Sequence, residues 1–307
     1  METVIDVERL HKRYGPVTAV ADVSLSVRRG EIFGILGPNG AGKTTTVECL
    51  QGLRPRDGGK LAVLGLDPDR DVGRLRRRIG AQLQSAALPD RLRAGEAITL
   101  FGRRFTGDQS VDVAHTLETW GLTALRRRAY GALSGGQRQR LFLALAMLGS
   151  PEIVFLDELT TGLDPVARRT TWDLVRRVRD RGATVVLVTH LMEEAEALCD
   201  RVAVVDGGRV VALDTPAALA ARHGGAVRTT FTAGPSDVTF LRLLPGVTAV
   251  TVDGGRVTVE GTGPAAVRVA AALAEHGLFP DDFRTHHPRL EGVFLALTGR
   301  RLDEGAQ

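Results

Sequence analysis

Apolar positions in the first two-thirds of the chain come as short continuous runs. Residues 32–36, 153–156 and 184–188 are each four or five residues long and almost wholly apolar or β-branched. Such runs suit strands buried on both faces, as in a sheet with helices on either side. The first run leads into a Gly-rich turn and then a helix to about Gln51. Residues 202–205 and 209–213 flank Gly207-Gly208 and read as a hairpin. Thr215-Pro216 then offers an N-cap and a first-position proline for a short helix. Between about residues 86 and 150 the strand signals fade and helical ones dominate. The pattern predicts an α/β core carrying a helical insert.

A second unit begins near His223-Gly224-Gly225. The pattern predicts a strand over Val227–Thr232, a helix over 236–244 and a strand over 247–252. Asp253-Gly254-Gly255 makes a turn into a strand over 256–260. A helix over 264–276, a short strand near 283–285 and a last helix from Arg289 follow. The order βαββαβ predicts a small α+β, ferredoxin-like layer. Expected domains are therefore residues 1–222 and 226–300.

Composition and charge sharpen this picture. With 307 residues, 43 % apolar and 25 % charged, the chain has material for two ordinary globular cores. Its longest apolar run, residues 141–147, is far short of the ~20 residues of a membrane span. The N-terminus lacks a basic-then-apolar signal pattern, so a cytoplasmic protein is expected, any membrane spans coming from another chain. Net charge is +4 and rests on Arg, since the lysines are Lys12, Lys43 and Lys60. The Arg clusters at 74, 76–78 and 126–128 have no interleaved aromatics. They read as solvated faces, and no nucleic-acid partner is expected. Cys49 and Cys199 lack paired spacing and read as buried reduced thiols.

Candidate chemistry starts at Gly37-Pro38-Asn39-Gly40-Ala41-Gly42-Lys43-Thr44, which satisfies G-x-x-x-x-G-K-[ST] after a strand and at a helix start. Glycines let backbone N–H groups wrap an anion, and the helix N-terminus adds unpaired donors. Lys43 supplies a point charge to the β- and γ-phosphates, and the Thr44 hydroxyl can ligate Mg²⁺, with Thr45 beside it. The cofactors expected are ATP and Mg²⁺. Asp157 ends the apolar run 153–156, where a carboxylate can hold the metal. Glu158 follows and can polarise an attacking water as general base.

Leu133-Ser134-Gly135-Gly136-Gln137 adds a second helix start, with Ser134 as N-cap and the glycines as an open first turn. With these motifs in this order, residues 2–220 resemble the ABC ATPase family. The resemblance implies a P-loop NTPase cassette with an antiparallel β subdomain and a helical insert. It implies a head-to-tail homodimer in which Ser134, Gly135, Gly136 and Gln137 of one subunit complete the ATP site at Lys43 of the other. It also implies that Tyr14 stacks on adenine, that Asp164 lies at the dimer interface, and that His190 contacts the γ-phosphate. Gln84 matches the glutamine that senses Mg²⁺ and the membrane partner, with Gln82 as its rival. Leu159 stands where many members have Pro, yet Glu158 is intact and hydrolysis is expected.

Residues 189–196 and 290–299 resemble the daunorubicin-resistance-type multidrug exporters, with Gly292 in place of an acid. That branch often carries an extra C-terminal domain. The implied function is an ATP-hydrolysing exporter subunit that drives a separate multi-span permease at the cytoplasmic face of the membrane by ATP-dependent dimer closure. A soluble ABC ATPase acting on nucleic acid or the ribosome is the alternative, as is an importer motor with a regulatory tail. Only one P-loop and no long coiled-coil insert weigh against the first of these. The cargo is not legible in the chain.

Overall fold

The computed structural model describes residues 2–82, 87–106, 111–233 and 237–299. Two compact units meet in the chain between Pro216 and Ala217.

In the first unit, β1 (Thr3–Tyr14) and β2 (Val17–Arg28) are long strands paired antiparallel from Thr3↔Arg28 to Tyr14↔Val17. β3 (Ile32–Leu36) is buried at every position, as its unbroken apolar run requires. β4 (Gly58–Val63) pairs antiparallel with β1. β5 (Ile79–Gln82), β6 (Ile153–Asp157), β7 (Thr184–Thr189), β8 (Arg201–Asp206) and β9 (Arg209–Asp214) complete a nine-stranded sheet. Its order is β4-β1-β2-β9-β8-β3-β7-β6-β5. From β8 to β5 the neighbours run parallel, so β3, β6 and β7 deliver the residues that follow them to one edge of the sheet. Gly207 and Gly208 turn β8 into β9 with φ of 54° and 72°, the left-handed pair a tight hairpin requires.

The expected insert contains helices Ala94–Thr106, Val113–Thr119 and Gly135–Ala146. The apolar run at 141–147 packs Leu141, Leu143, Ala144, Leu145 and Ala146 into the core. Among the described residues no helix is long and apolar enough to cross a membrane. Cys49 and Cys199 are buried and unbridged.

Between β1 and β4 the chain is tied down by Asp57. Its carboxylate accepts from Lys12 Nζ at 2.9 Å and from the Arg13 N–H at 2.7 Å, which fixes the end of β1. The adjacent Arg56 makes a two-pronged pair with Asp67, both contacts at 2.8 Å. Those bonds hold the Asp67 carboxyl down at about 2, below its ordinary 3.8. A depressed acid contributes stability above its unfolded value and loses it as pH falls through the folded one. Asp67→Asn should therefore cost about 1 kcal/mol at neutral pH after solvent screening. In thermal melts of both proteins, the gap should close as pH falls from about 4 to 2.

The second unit holds β10 (Val227–Thr232), β11 (Val247–Asp253), β12 (Arg256–Gly261) and β13 (Arg284–His286), all antiparallel, in the order β11-β12-β10-β13. Helices Ala265–Glu275 and Leu290–Thr298 accompany the sheet. Phe231, Leu241, Val257, Val259, Val269 and Leu273 form its core. The helix expected over 236–244 is a 3₁₀ segment instead, Thr239–Leu243. Asp237 starts it by accepting the Thr239 N–H at 2.9 Å, and Pro245 follows closely. A 3₁₀ turn is a common form for so short a connecting segment.

Candidate functional site

The loop after β3 is shaped by glycines that cannot be replaced. A Cβ on Gly37 would strike the Val205 carbonyl, and one on Gly42 would strike that of Ala19. Gly42 also holds φ at 94° as it opens the helix Lys43–Leu50, which has no side-chain cap. Its first N–H groups are thus left for an anion. Gly42→Ala should cost about 2 kcal/mol or more from left-handed strain plus the clash. It should appear as a lower melting temperature and weaker ATP binding.

Lys43 is buried, and its ammonium donates to the Pro38 carbonyl at 2.9 Å, back across the loop. Burial pushes its pKa down, against the pull of Glu158 and Asp157. The Thr44 hydroxyl donates to Asp157 Oδ2 at 3.1 Å. Burial pushes the Asp157 carboxyl up, the Thr44 hydrogen bond opposes this, and Glu158 and Lys43 act in opposite senses. Asp157 Oδ1 is buried with no hydrogen-bond partner. An orphaned carboxylate oxygen beside a hydroxyl suits a hard cation that takes its other ligands from phosphate and water. Thr44 and Asp157 therefore fit Mg²⁺. Thr45 is half-buried in the same helical turn.

Glu158 follows β6 with φ at 50°, a left-handed conformation that few non-glycine residues adopt. Its carboxylate lies 3.1 Å from Nδ1 of His190, which follows β7. An ionised carboxylate only accepts, so it bonds the ring there when Nδ1 carries the hydrogen. Leu159, the next residue, is fully buried.

Tyr14 ends β1 and is 40 % exposed, with Lys12 Nζ 5.5 Å and Arg54 Cζ 6.0 Å from its ring centroid. An exposed aromatic of this kind can stack on a base. Gln84 lies outside the described residues. Its rival Gln82 is buried at the end of β5, and its amide donates to Gln139 Oε1 at 2.6 Å.

The second open helix start is built on different elements. Ser134 caps the helix Gly135–Ala146 in a reciprocal box. The Gln137 N–H reaches its hydroxyl at 3.4 Å, and the Ser134 N–H donates to the Gln137 side chain at 3.0 Å. Ser134, Gly135, Gly136 and Gln137 line a cavity of about 450 Å³ with Gly162–Asp164 and Val166. Asp164 caps the helix Pro165–Asp180, accepting from the N–H groups of Val166 and Ala167, both at 2.9 Å. The structure thus gathers Lys43, Thr44, Asp157, Glu158 and His190 into one cluster and Ser134–Gln137 with Asp164 into another.

Sequence reasoning missed Glu194. It reads as part of a charged run, Glu193-Glu194-Ala195-Glu196, yet it is 1 % exposed. The signal was available: Leu191, Glu194, Ala195 and Leu198 fall at helical spacing on one face.

A phosphate cradle at the carboxyl edge of a parallel sheet places the chain among P-loop nucleotide-binding proteins. Residues 20–161 match the family described as ABC transporter. The daunorubicin resistance ATP-binding protein DrrA3 of Streptomyces coeruleorubidus is 40 % identical, over 99 % of both chains. The Nod factor export ATP-binding protein I of Rhizobium sp. (strain N33) is 38 % identical, again over 99 % of both. Among solved structures, a dimeric ATP-binding cassette in a post-hydrolysis state with ADP and phosphate superposes with TM-score 0.62 at 25 % identity. That match covers 69 % of this chain and 98 % of the other. The chain belongs to the ABC transporter family of ATP-binding proteins.

Proposed function

We propose that the chain is the ATP-hydrolysing subunit of an exporter, working as a homodimer on a separate multi-span membrane permease at the cytoplasmic face. The observation that carries hydrolysis is the Glu158 carboxylate, fixed by His190 on the sheet edge that also holds Lys43. In this reading the loop N–H groups of residues 37–42 and the Lys43 ammonium bind the β- and γ-phosphates. Thr44 and Asp157 hold Mg²⁺, with Gln84 as a further ligand. When bound, the ion neutralises phosphate charge. Glu158 accepts the proton of the attacking water, and His190 orients Glu158 and faces the γ-phosphate. Tyr14 stacks on the adenine.

Dimerisation rests on the second cluster. Ser134, Gly135, Gly136 and Gln137 form an anion-binding helix start with no lysine of its own. They are read as completing the ATP site of the second subunit, with Asp164 beside them at the interface. The dimeric cassette above supports this arrangement. Export, and drug-type export in particular, rests on the two relatives that match from end to end. Residues 1–222 are read as the ATP-binding domain and 226–300 as an accessory domain. The strand order β11-β12-β10-β13 supports a ferredoxin-like layer there.

The test is co-purification of the full-length chain from membranes in mild detergent, with phosphate release measured on what is recovered. The expected result is a multi-span membrane protein bound to the chain and ATP turnover by the pair. A chain recovered with no membrane partner, or one that binds ATP without releasing phosphate, would overturn the proposal.

A further inference from the structure

Glu194 lies on the helix Met192–Leu198, one turn beyond His190. A single oxygen of its carboxylate, Oε1, accepts the Thr160 hydroxyl at 2.7 Å and the Trp172 indole N–H at 3.1 Å. The other oxygen, Oε2, is buried with no hydrogen-bond partner. Thr160 is fully buried and Trp172 nearly so.

The two donors come from segments far from Glu194 in sequence. Thr160 stands two residues after Glu158, in a turn where the Thr161 N–H donates to the Glu158 carbonyl and the Leu163 N–H to the Thr160 carbonyl. Trp172 lies on the helix Pro165–Asp180, which Asp164 caps. One buried oxygen therefore joins the turn behind Glu158, the helix behind Asp164 and the helix behind His190.

A carboxylate in such a place is expensive. Burial of a carboxylate is unfavourable unless its hydrogen bonds are good, and an apolar side chain would fill the same space without that penalty. What the carboxylate adds is direction. Two bonds to an acceptor fix the relative register of the three segments, where apolar contacts would let them slide. The Glu158–His190 contact spans two of the same segments, so the Thr160–Glu194 bond is a second rung beside it. Glu158 also holds a left-handed backbone, which persists only where its surroundings over-determine it.

We propose that Glu194 is a positioning residue for ATP hydrolysis. It holds the turn carrying Glu158 in register with His190 through Thr160, and with the Asp164 helix through Trp172. This rests on the ATPase reading above.

The experiment uses the full-length chain with Thr160→Val, close in shape and lacking the hydroxyl donor, with Trp172→Phe, which lacks the indole donor and is smaller, and with Glu194→Gln beside Glu194→Ala. Thr160→Val should lower kcat about ten-fold while KM for ATP stays within about two-fold, because Glu158 is misplaced and the phosphate cradle is not. Its calorimetric ATP affinity should match the wild type, and the protein should stay folded at the assay temperature although losing a donor to the buried carboxylate lowers its melting temperature. Glu194→Gln keeps an acceptor oxygen and should retain more turnover than Glu194→Ala. The His190 ring N–H signal in nucleotide-free NMR spectra should move in Thr160→Val. Wild-type kcat in both Thr160→Val and Trp172→Phe, with an unmoved His190 signal, would overturn the proposal. So would a fall in kcat matched by a rise in KM or a loss of folded protein. Should Glu194→Ala fail to fold, the Thr160 and Trp172 variants decide. If the wild type itself releases no phosphate, the ATPase reading falls, and the His190 signal still tests the tie.

Discussion

Glu158→Gln should lower phosphate release by about a hundred- to a thousand-fold while leaving ATP affinity nearly unchanged. The geometry separates the two effects. Lys43 and the glycine loop follow β3, whereas Glu158 follows β6 and acts on Lys43 through its charge. Gln matches Glu in size and can still accept the His190 proton through its amide oxygen. The left-handed turn and its 3.1 Å contact should therefore survive. What is lost is basicity, since an amide does not take a proton from water. A subunit that binds ATP but cannot cleave it should also accumulate as the closed dimer. Single-turnover phosphate release gives the first readout, and size-exclusion chromatography with and without ATP the second. Turnover at the wild-type rate would remove Glu158 from the role of base. Loss of binding together with turnover would mean that the substitution had damaged the cradle.

The fold and the site were legible to different depths, for physical reasons. The phosphate loop was readable because its constraints are local. Gly42 must be glycine for its backbone conformation, and Gly37 because a carbonyl lies against it. Such demands leave a fixed spacing in the sequence. The fully buried strands β3, β6 and β7 were readable as apolar runs for a similar reason. Other contacts exist only in three dimensions. The Asp57 carboxylate that ties down β1 is 45 residues from Lys12, and Gln82 meets Gln139 across 57 residues. No spacing rule announces either pair. The short 3₁₀ segment Thr239–Leu243 was over-read as a helix because an apolar pattern does not reveal how few residues will wind.

Lys43→Ala should weaken ATP binding by about ten- to a hundred-fold, the worth of a charge-assisted bond to phosphate. The lysine is costly to the nucleotide-free protein. Burial pushes its pKa below the ordinary 10.5, so the folded state binds its proton less firmly than the unfolded chain does. By linkage, that cost is fully present at neutral pH and is relieved as pH rises through the lowered value. Replacing Lys43 by Ala removes the cost, so the melting temperature without nucleotide should not fall, and lost binding cannot be put down to unfolding. Bound phosphates act the other way and favour the charged ammonium. Wild-type affinity should consequently decline as the solution becomes alkaline enough to deprotonate free Lys43, and this decline should be absent in Lys43→Ala. Lys43→Arg should not restore affinity. The compact ammonium reaches the Pro38 carbonyl at 2.9 Å across the loop, and a longer, planar guanidinium should not reproduce that contact. Calorimetric titrations across neutral and alkaline pH, in buffers of differing ionisation heat, measure both the affinity and the proton uptake. Undiminished affinity in Lys43→Ala would take the ammonium out of the phosphate site and leave binding to the backbone donors alone.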